Sequence, residues 1–224
     1  MQIKQARLKR NQLSQYKPYS KQREFHKAGA LHNERLFMAG NQLGKTLAGG
    51  AEWAIHLTGR YPDNWEGAVF NKPVKFWAAG VTGESTRDNP QRILIGEPAN
   101  EAKWGQGMIP FDCFVGKPTP ARGVPDAIDS LVVKHGGGAD IQQGESELYF
   151  KSYEKGREKW QGPTLDGLWC DEEPPLNIYS EGRTRTQNGQ RGTFTIITFT
   201  PLLGMSEVVR MFLDVETRHE NDDR

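Results

Sequence analysis

The chain has 224 residues, of which 36% are hydrophobic and 25% charged, and its formal net charge is +1. That suits one domain with a lean core, and the lack of any apolar run near 18 residues excludes a membrane-spanning helix. Two cysteines, Cys113 and Cys170, and a basic start with no apolar stretch behind it fit a reducing cytoplasm better than a secreted disulfide scaffold.

Residues 1–15 have mixed polarity, with Leu8 and Leu13, and predict a peripheral helical arm. Residues 1–35 carry nine basic side chains (Lys4, Arg7, Lys9, Arg10, Lys17, Lys21, Arg23, Lys27, Arg35) against Glu24 and Glu34. Such an arm suits contact with nucleic acid and equally a solvated helix face or a frayed terminus. Tyr16-Lys17-Pro18-Tyr19-Ser20 breaks the pattern, and Ser20 is placed to cap a second helix over 21–29. A strand over 35–38 enters the run Ala39-Gly40-Asn41-Gln42-Leu43-Gly44-Lys45-Thr46. A helix then follows from Lys45 to about Leu57. Gly49 and Gly50 each cost it roughly 1 kcal/mol against Ala, which points to close packing on a sheet. Residues 60–73 read as loop, 74–79 as a strand and 85–95 as a helix. Residues 96–130, rich in Gly and Pro with little periodicity, read as a long excursion or small insertion.

Two alternating runs, 130–135 and 147–153, flank Gly136-Gly137-Gly138 and resemble antiparallel strands. Residues 155–165 read as a polar loop in which Trp160, among Lys155, Arg157 and Lys159, is placed to touch DNA; the other tryptophans read as core or surface anchors. Leu168-Trp169-Cys170 is a short buried strand, and 193–200 is the strongest β signal. The last 18 residues carry six acidic side chains against Arg210, Arg218 and Arg224, and end in the polar run 216–224. Strands alternating with helices predict an α/β fold with a mostly parallel central sheet.

The chemistry begins at the glycine run. Strand, glycine turn, Lys-Thr and helix form a phosphate-binding loop, in which backbone N–H groups and the positive helix end cradle phosphates. Gly40, Asn41, Gln42, Leu43 and Gly44 would form the cradle, Lys45 would reach the β- and γ-phosphates, and Thr46 would ligate Mg²⁺. The pattern departs at Ala39, where it calls for glycine. The second element is the buried strand that runs into Asp171-Glu172-Glu173. Asp171 suits the Mg²⁺ shell and Glu172 suits activation of the attacking water. Asp followed by Glu favours ATP, and Asn71-Lys72-Pro73-Val74 fails the guanine-reading pattern. The third element is Thr198-Phe199-Thr200 at the end of the last strand, placed to sense the γ-phosphate and pass on the signal. The fourth is Gln22, beside Tyr16, Tyr19 and Phe25, where an amide and an aromatic can hold adenine. The five histidines are scattered without metal-ligand spacing.

This order of motifs resembles the ATPase half of the large terminase subunit of tailed bacteriophages and prophages. The resemblance rests on Gln22, on Gly40–Thr46 as Walker A, on Asp171-Glu172 as Walker B with its glutamate, on Thr198-Phe199-Thr200-Pro201, and on Lys151-Ser152-Tyr153-Glu154. It covers residues 16–205. It implies a P-loop NTPase of the ASCE/RecA-like class, a three-layer sandwich, with Mg²⁺-ATP hydrolysis coupled to translocation of double-stranded DNA into a procapsid. It further implies a ring, pentameric on the portal, contacts with the portal protein and the small terminase subunit, no membrane, and action in the host bacterial cytoplasm. Where many terminases carry a basic residue inside the loop, this chain has Asn41, so the positive charge is expected from elsewhere. Arg157 is the candidate arginine finger for a neighbouring subunit and Arg92 the reserve. Residues 206–224 are expected to begin a linker to a nuclease domain this chain lacks, so nuclease activity is not expected from it. Two other readings stay open: a fragment of a helicase or translocase of superfamily 2, and a nucleotide-gated DNA-binding module with negligible turnover.

Overall fold

A computed structural model describes residues 8–201 and 206–213. Its frame is a seven-stranded sheet. The strands are β1 (Glu34–Met38), β2 (Lys75–Gly80), β3 (Phe114–Pro120), β4 (Ile128–His135), β5 (Gly144–Ser152), β6 (Gly167–Asp171) and β7 (Thr195–Phe199), in the order β1-β7-β6-β2-β5-β4-β3. β1, β7, β6, β2 and β5 are parallel, while β4 and β3 extend the sheet antiparallel beyond β5. β7 lies between β1 and β6, with Met38 opposite Phe199 and Asp171 opposite Thr198. The strand that precedes the glycine loop and the strand that ends in Asp171 are thus separated by the Thr198 strand.

Alternation along the central strands divides the core into two layers. Phe76, Ala78, Trp169 and Ile196 pack with Trp53, Ala54 and Leu57 of α2 (Lys45–Thr58). Trp77, Ala79, Leu168, Cys170, Ile197 and Phe199 pack on the other face with Ile178 and Tyr179 of α4 (Leu176–Thr186) and Val208 and Val209 of α5 (Glu207–Leu213). Both faces of the sheet are covered, which gives the expected three layers. α1 (Ser20–Ala28) lies on the α2 side, its Phe25 stacked on Phe37 at 4.9 Å. The glycines of α2 do what close packing requires. A Cβ on Gly49 would lie 2.7 Å from the Trp169 indole, and one on Gly50 would lie 2.2 Å from Ile93.

The strands and the loop helix fall where the sequence predicts them; other segments differ. Tyr19, not Ser20, is the N-cap of α1, because its N–H donates to the Gln22 side chain at 3.2 Å. The helix α3, over 83–95, contains a π-helical stretch, Arg87–Gln91, that accommodates Pro90, a residue with no N–H to donate. Residues 96–130 include β3, an edge strand whose two prolines and Gly116 hide its pattern. Arg157–Trp160 forms a 3₁₀ turn that buries Trp160 completely, its indole N–H donating to Ser152 O at 3.2 Å. Trp160 is a core residue and no DNA contact. α4 was not legible behind Pro174-Pro175, and residues 207–213 form a helix within the second core layer. Most of the 1–15 arm lies outside the described residues; within them, Leu13–Gln15 is a 3₁₀ turn.

Candidate functional site

The carboxyl ends of β1, β7, β6 and β5 meet at one edge of the sheet, the place where open α/β sheets bind ligands. β1 delivers the glycine loop. Its turn is made by Gln42 (φ 59°) and Gly44 (φ 70°), whereas Ala39 has no positive φ and so needs no glycine. Gly44 is needed twice over. A Cβ there would lie 2.9 Å from Gln22 Nε2, and the Gln22 amide donates to Gly44 O at 2.8 Å. The Tyr19 hydroxyl donates to Leu43 O. Lys45 Nζ reaches back to Gly40 O at 2.8 Å, and Asn41 Oδ1 accepts from the Thr200 hydroxyl at 2.9 Å, tying the loop to the end of β7.

β6 delivers Asp171 to the face that α2 covers, by the same parity that turns Trp169 toward α2. The hydroxyls of Thr46 and Thr198 both donate to Asp171 Oδ1, at 2.9 and 2.8 Å. The Trp169 indole N–H donates to the Thr198 hydroxyl at 2.8 Å. An indole can only donate, so this bond fixes the Thr198 hydroxyl as acceptor from Trp169 and donor to Asp171. Burial pushes the Asp171 carboxyl up to about 6, against the opposing effect of the Thr198 and Thr46 hydroxyls.

Glu172 follows with φ 69°, a left-handed backbone that a glutamate adopts at a cost on the order of 1 kcal/mol. Three bonds hold it there. Its N–H donates to Thr198 O at 2.8 Å, its carbonyl accepts the Tyr153 hydroxyl at 2.8 Å, and its Oε2 accepts the Thr200 N–H at 3.4 Å. The result turns the Glu172 side chain away from the strand's alternation while Asp171 stays in it. Beyond Glu172 the rim opens into a cleft of about 1160 Å³ with Glu154, Glu173 and Glu207 on its walls.

The donor set fits Mg²⁺. A Thr46 hydroxyl that gives its proton to Asp171 keeps an oxygen lone pair for a cation, with the carboxylate behind it. Among the described residues no group of three His, Cys, Asp or Glu side chains is arranged to hold a metal by itself.

A family model described as terminase large subunit, T4likevirus-type, N-terminal, matches residues 36–223. The chain belongs to this terminase large subunit family. It is 47% identical over 214 residues to the terminase large subunit of Salmonella phage P22, covering 90% of this chain and 42% of that protein. It is 29% identical over 220 residues to that of Enterobacteria phage LP7, covering 90% and 43%. The terminase chain therefore spans about two fifths of the length of the curated relatives it matches. Two solved structures of the large terminase ATPase domain of Thermus phage P74-26 have the same fold, each at 20% identity. One has a TM-score of 0.60 and covers 90% of this chain and 72% of its own; the other has 0.51, with 84% and 66%.

The terminase site brings together Thr46, Asp171, Glu172, Thr198, Thr200 and Asn41, all expected from sequence. Gln22 reaches the loop, but it is 2% exposed and its amide is engaged by Tyr19 and Gly44, so it braces the glycine loop. Of its aromatic neighbours, Phe25 is buried against Phe37, and Tyr19 remains exposed beside the loop. Arg157 stands apart from these residues, its Nε donating to Glu181 at 3.0 Å with its side chain 61% exposed. Sequence reasoning missed what Tyr153 and Trp169 do, because each acts through the group it hydrogen-bonds.

Proposed function

We propose that this terminase domain hydrolyses ATP with Mg²⁺ and couples the reaction to movement of double-stranded DNA into a procapsid. The observation that carries the reading is the Thr46–Asp171 hydrogen bond of 2.9 Å beside a glutamate held at positive φ. Lys45 exchanges its bond to Gly40 O for the β- and γ-phosphates. Thr46 and, behind it, Asp171 would hold Mg²⁺, which would neutralise phosphate charge. Glu172 accepts a proton from the attacking water as the new P–O bond forms and the bond to the bridging oxygen breaks, leaving ADP and phosphate. Gln22 holds the loop beneath the nucleotide, with Tyr19 exposed for the adenine. The Thr200–Asn41 bond of 2.9 Å supports a coupling role for Thr198 and Thr200, since it joins the phosphate loop to the end of β7.

The loop itself carries no basic residue besides Lys45, so the remaining positive charge comes in trans. Arg157, exposed on its 3₁₀ turn, serves a neighbouring subunit in a ring on the portal, with exposed Arg92 as the reserve. The portal protein and the small subunit are the further partners, and the host bacterial cytoplasm is the setting. No helix among the described residues is long and apolar enough to cross a membrane.

Steady-state phosphate release tests the reading. Wild type is expected to turn over ATP in a Mg²⁺-dependent way, and Glu172→Gln to bind ATP but release phosphate at least about 100-fold more slowly. Equal release by both proteins, with ATP bound by both, would overturn it.

A further inference from the structure

Glu52 sits in the middle of α2 with no exposure, about two turns after Lys45. Nothing in the proposed reaction uses it. Its two oxygens gather side chains from three elements. Oε2 accepts His26 Nδ1 of α1 at 2.7 Å and Arg35 Nη1 of β1 at 3.2 Å. Oε1 accepts Arg35 Nη2 at 2.5 Å and lies 3.4 Å from His56 Nε2, one turn along α2. The Arg35 guanidinium also donates to Phe25 O at 2.9 Å and lies over the Phe25 ring at 4.8 Å, so β1 grips the last turns of α1. Gly29 leaves room for this: a Cβ there would lie 2.8 Å from the guanidinium. The imidazole of His26 spans from Glu52 to the Tyr16 hydroxyl at 2.9 Å, which brings in the segment before α1. Burial pushes the Glu52 carboxyl up, but Arg35 and the two imidazoles hold it well below the usual carboxylate range.

The elements joined here are those that flank the phosphate loop. α1 carries Tyr19 and Gln22, which donate to Leu43 O and Gly44 O; β1 runs into Gly40; α2 begins with Lys45 and Thr46. His26 lies one helical turn after Gln22 on the buried face of α1, so a shift of His26 is a shift of the brace under the loop. We propose that Glu52 is a positioning residue for nucleotide binding, fixing α1 against β1 and α2 so that Tyr19 and Gln22 hold the loop in its binding shape. The chemical step at Glu172 lies beyond its reach. This rests on the reading that the loop binds ATP.

The test is the split between KM and kcat for ATP in Glu52→Gln, alongside Val133→Ala, a core truncation in β4 that destabilises the fold away from the loop. Glu52→Gln is expected to raise KM about tenfold, the scale on which orienting partners of a binding site act, with kcat within about threefold of wild type. Val133→Ala, at a similar loss of Tm, leaves KM unchanged. Combining Glu52→Gln with Gln22→Ala gives less than the product of the single effects, because both act through the same brace. Tyr16→Phe keeps the ring, loses only the hydroxyl on His26, and is expected to raise KM several-fold; it decides the matter if Glu52→Gln does not fold. A KM unchanged in the folded variants, or matched by Val133→Ala, overturns the proposal. A wild type that binds no ATP overturns the functional reading instead.

Discussion

Replacing Asp171 by asparagine should stabilise the fold while abolishing catalysis. Burial raises this carboxyl from its ordinary 3.8 to about 6. At roughly 1.4 kcal/mol for each pH unit, keeping it ionised in the folded chain costs about 3 kcal/mol at neutral pH. The sign follows from the direction of the shift: the folded state prefers the protonated form. Stability is therefore fully present below pH 3.8 and is lost as pH rises through about 6. Asparagine presents a carbonyl oxygen to the same Thr46 and Thr198 hydroxyls and carries no charge. Thermal unfolding of Asp171→Asn and wild type at pH 7.5 should differ by about 6–12 °C in favour of the variant, at about 2–4 °C per kcal/mol for a chain of this size. The gap should shrink toward zero near pH 4, and Mg²⁺ with ATP should narrow it at pH 7.5 by stabilising wild type alone. A variant no more stable than wild type at pH 7.5, or a gap that does not change with pH, would refute the reasoning.

Tyr153→Phe removes the hydroxyl that holds the Glu172 carbonyl at positive φ; kcat should fall about tenfold with KM for ATP unchanged, read from steady-state phosphate release. Gly49→Ala drives a methyl into the Trp169 indole, 2.7 Å away, and should cost about 1–3 kcal/mol in denaturant unfolding. Arg157→Ala should cut the ATPase rate of concentrated, assembled protein by about 10³. Mixing it with Glu172→Gln subunits, which keep Arg157, should restore part of that rate. If mixing restores nothing and the single variant is fully active, Arg157 is not the finger.

Much of this site is written in short stretches of sequence, since backbone geometry forces the outcome. Residues 40–46 must turn sharply between β1 and α2, and a fully buried strand such as β6 places the polar residue that ends it at the sheet's edge. A mostly parallel sheet was legible as a class, because apolar runs with helices between them have few other solutions, but the order of its strands was not. β3 was not legible, since its prolines and Gly116 suit only an edge and leave no apolar alternation. α4 was masked by Pro174-Pro175, which start it, and by Gly182, which packs on Leu168. Trp160 looked like a basic-loop aromatic because its charged neighbours point outward while it alone turns inward. The buried charges were the least legible of all. His26, Arg35, Glu52 and His56 are far apart or unremarked in sequence, and only the docking of α1 on β1 and α2 makes them one network.

The central claim is that residues 40–46 bind ATP with Mg²⁺ and present its γ-phosphate to Glu172. A structure with Mg²⁺ and a non-hydrolysable ATP analogue tests this most directly. The account predicts Lys45 Nζ on the β- and γ-phosphates instead of Gly40 O, Mg²⁺ on the Thr46 hydroxyl with Asp171 behind it, and the Glu172 carboxylate facing the γ-phosphate. Phosphates bound away from the 40–46 loop, or Glu172 turned from the γ-phosphate, would contradict it.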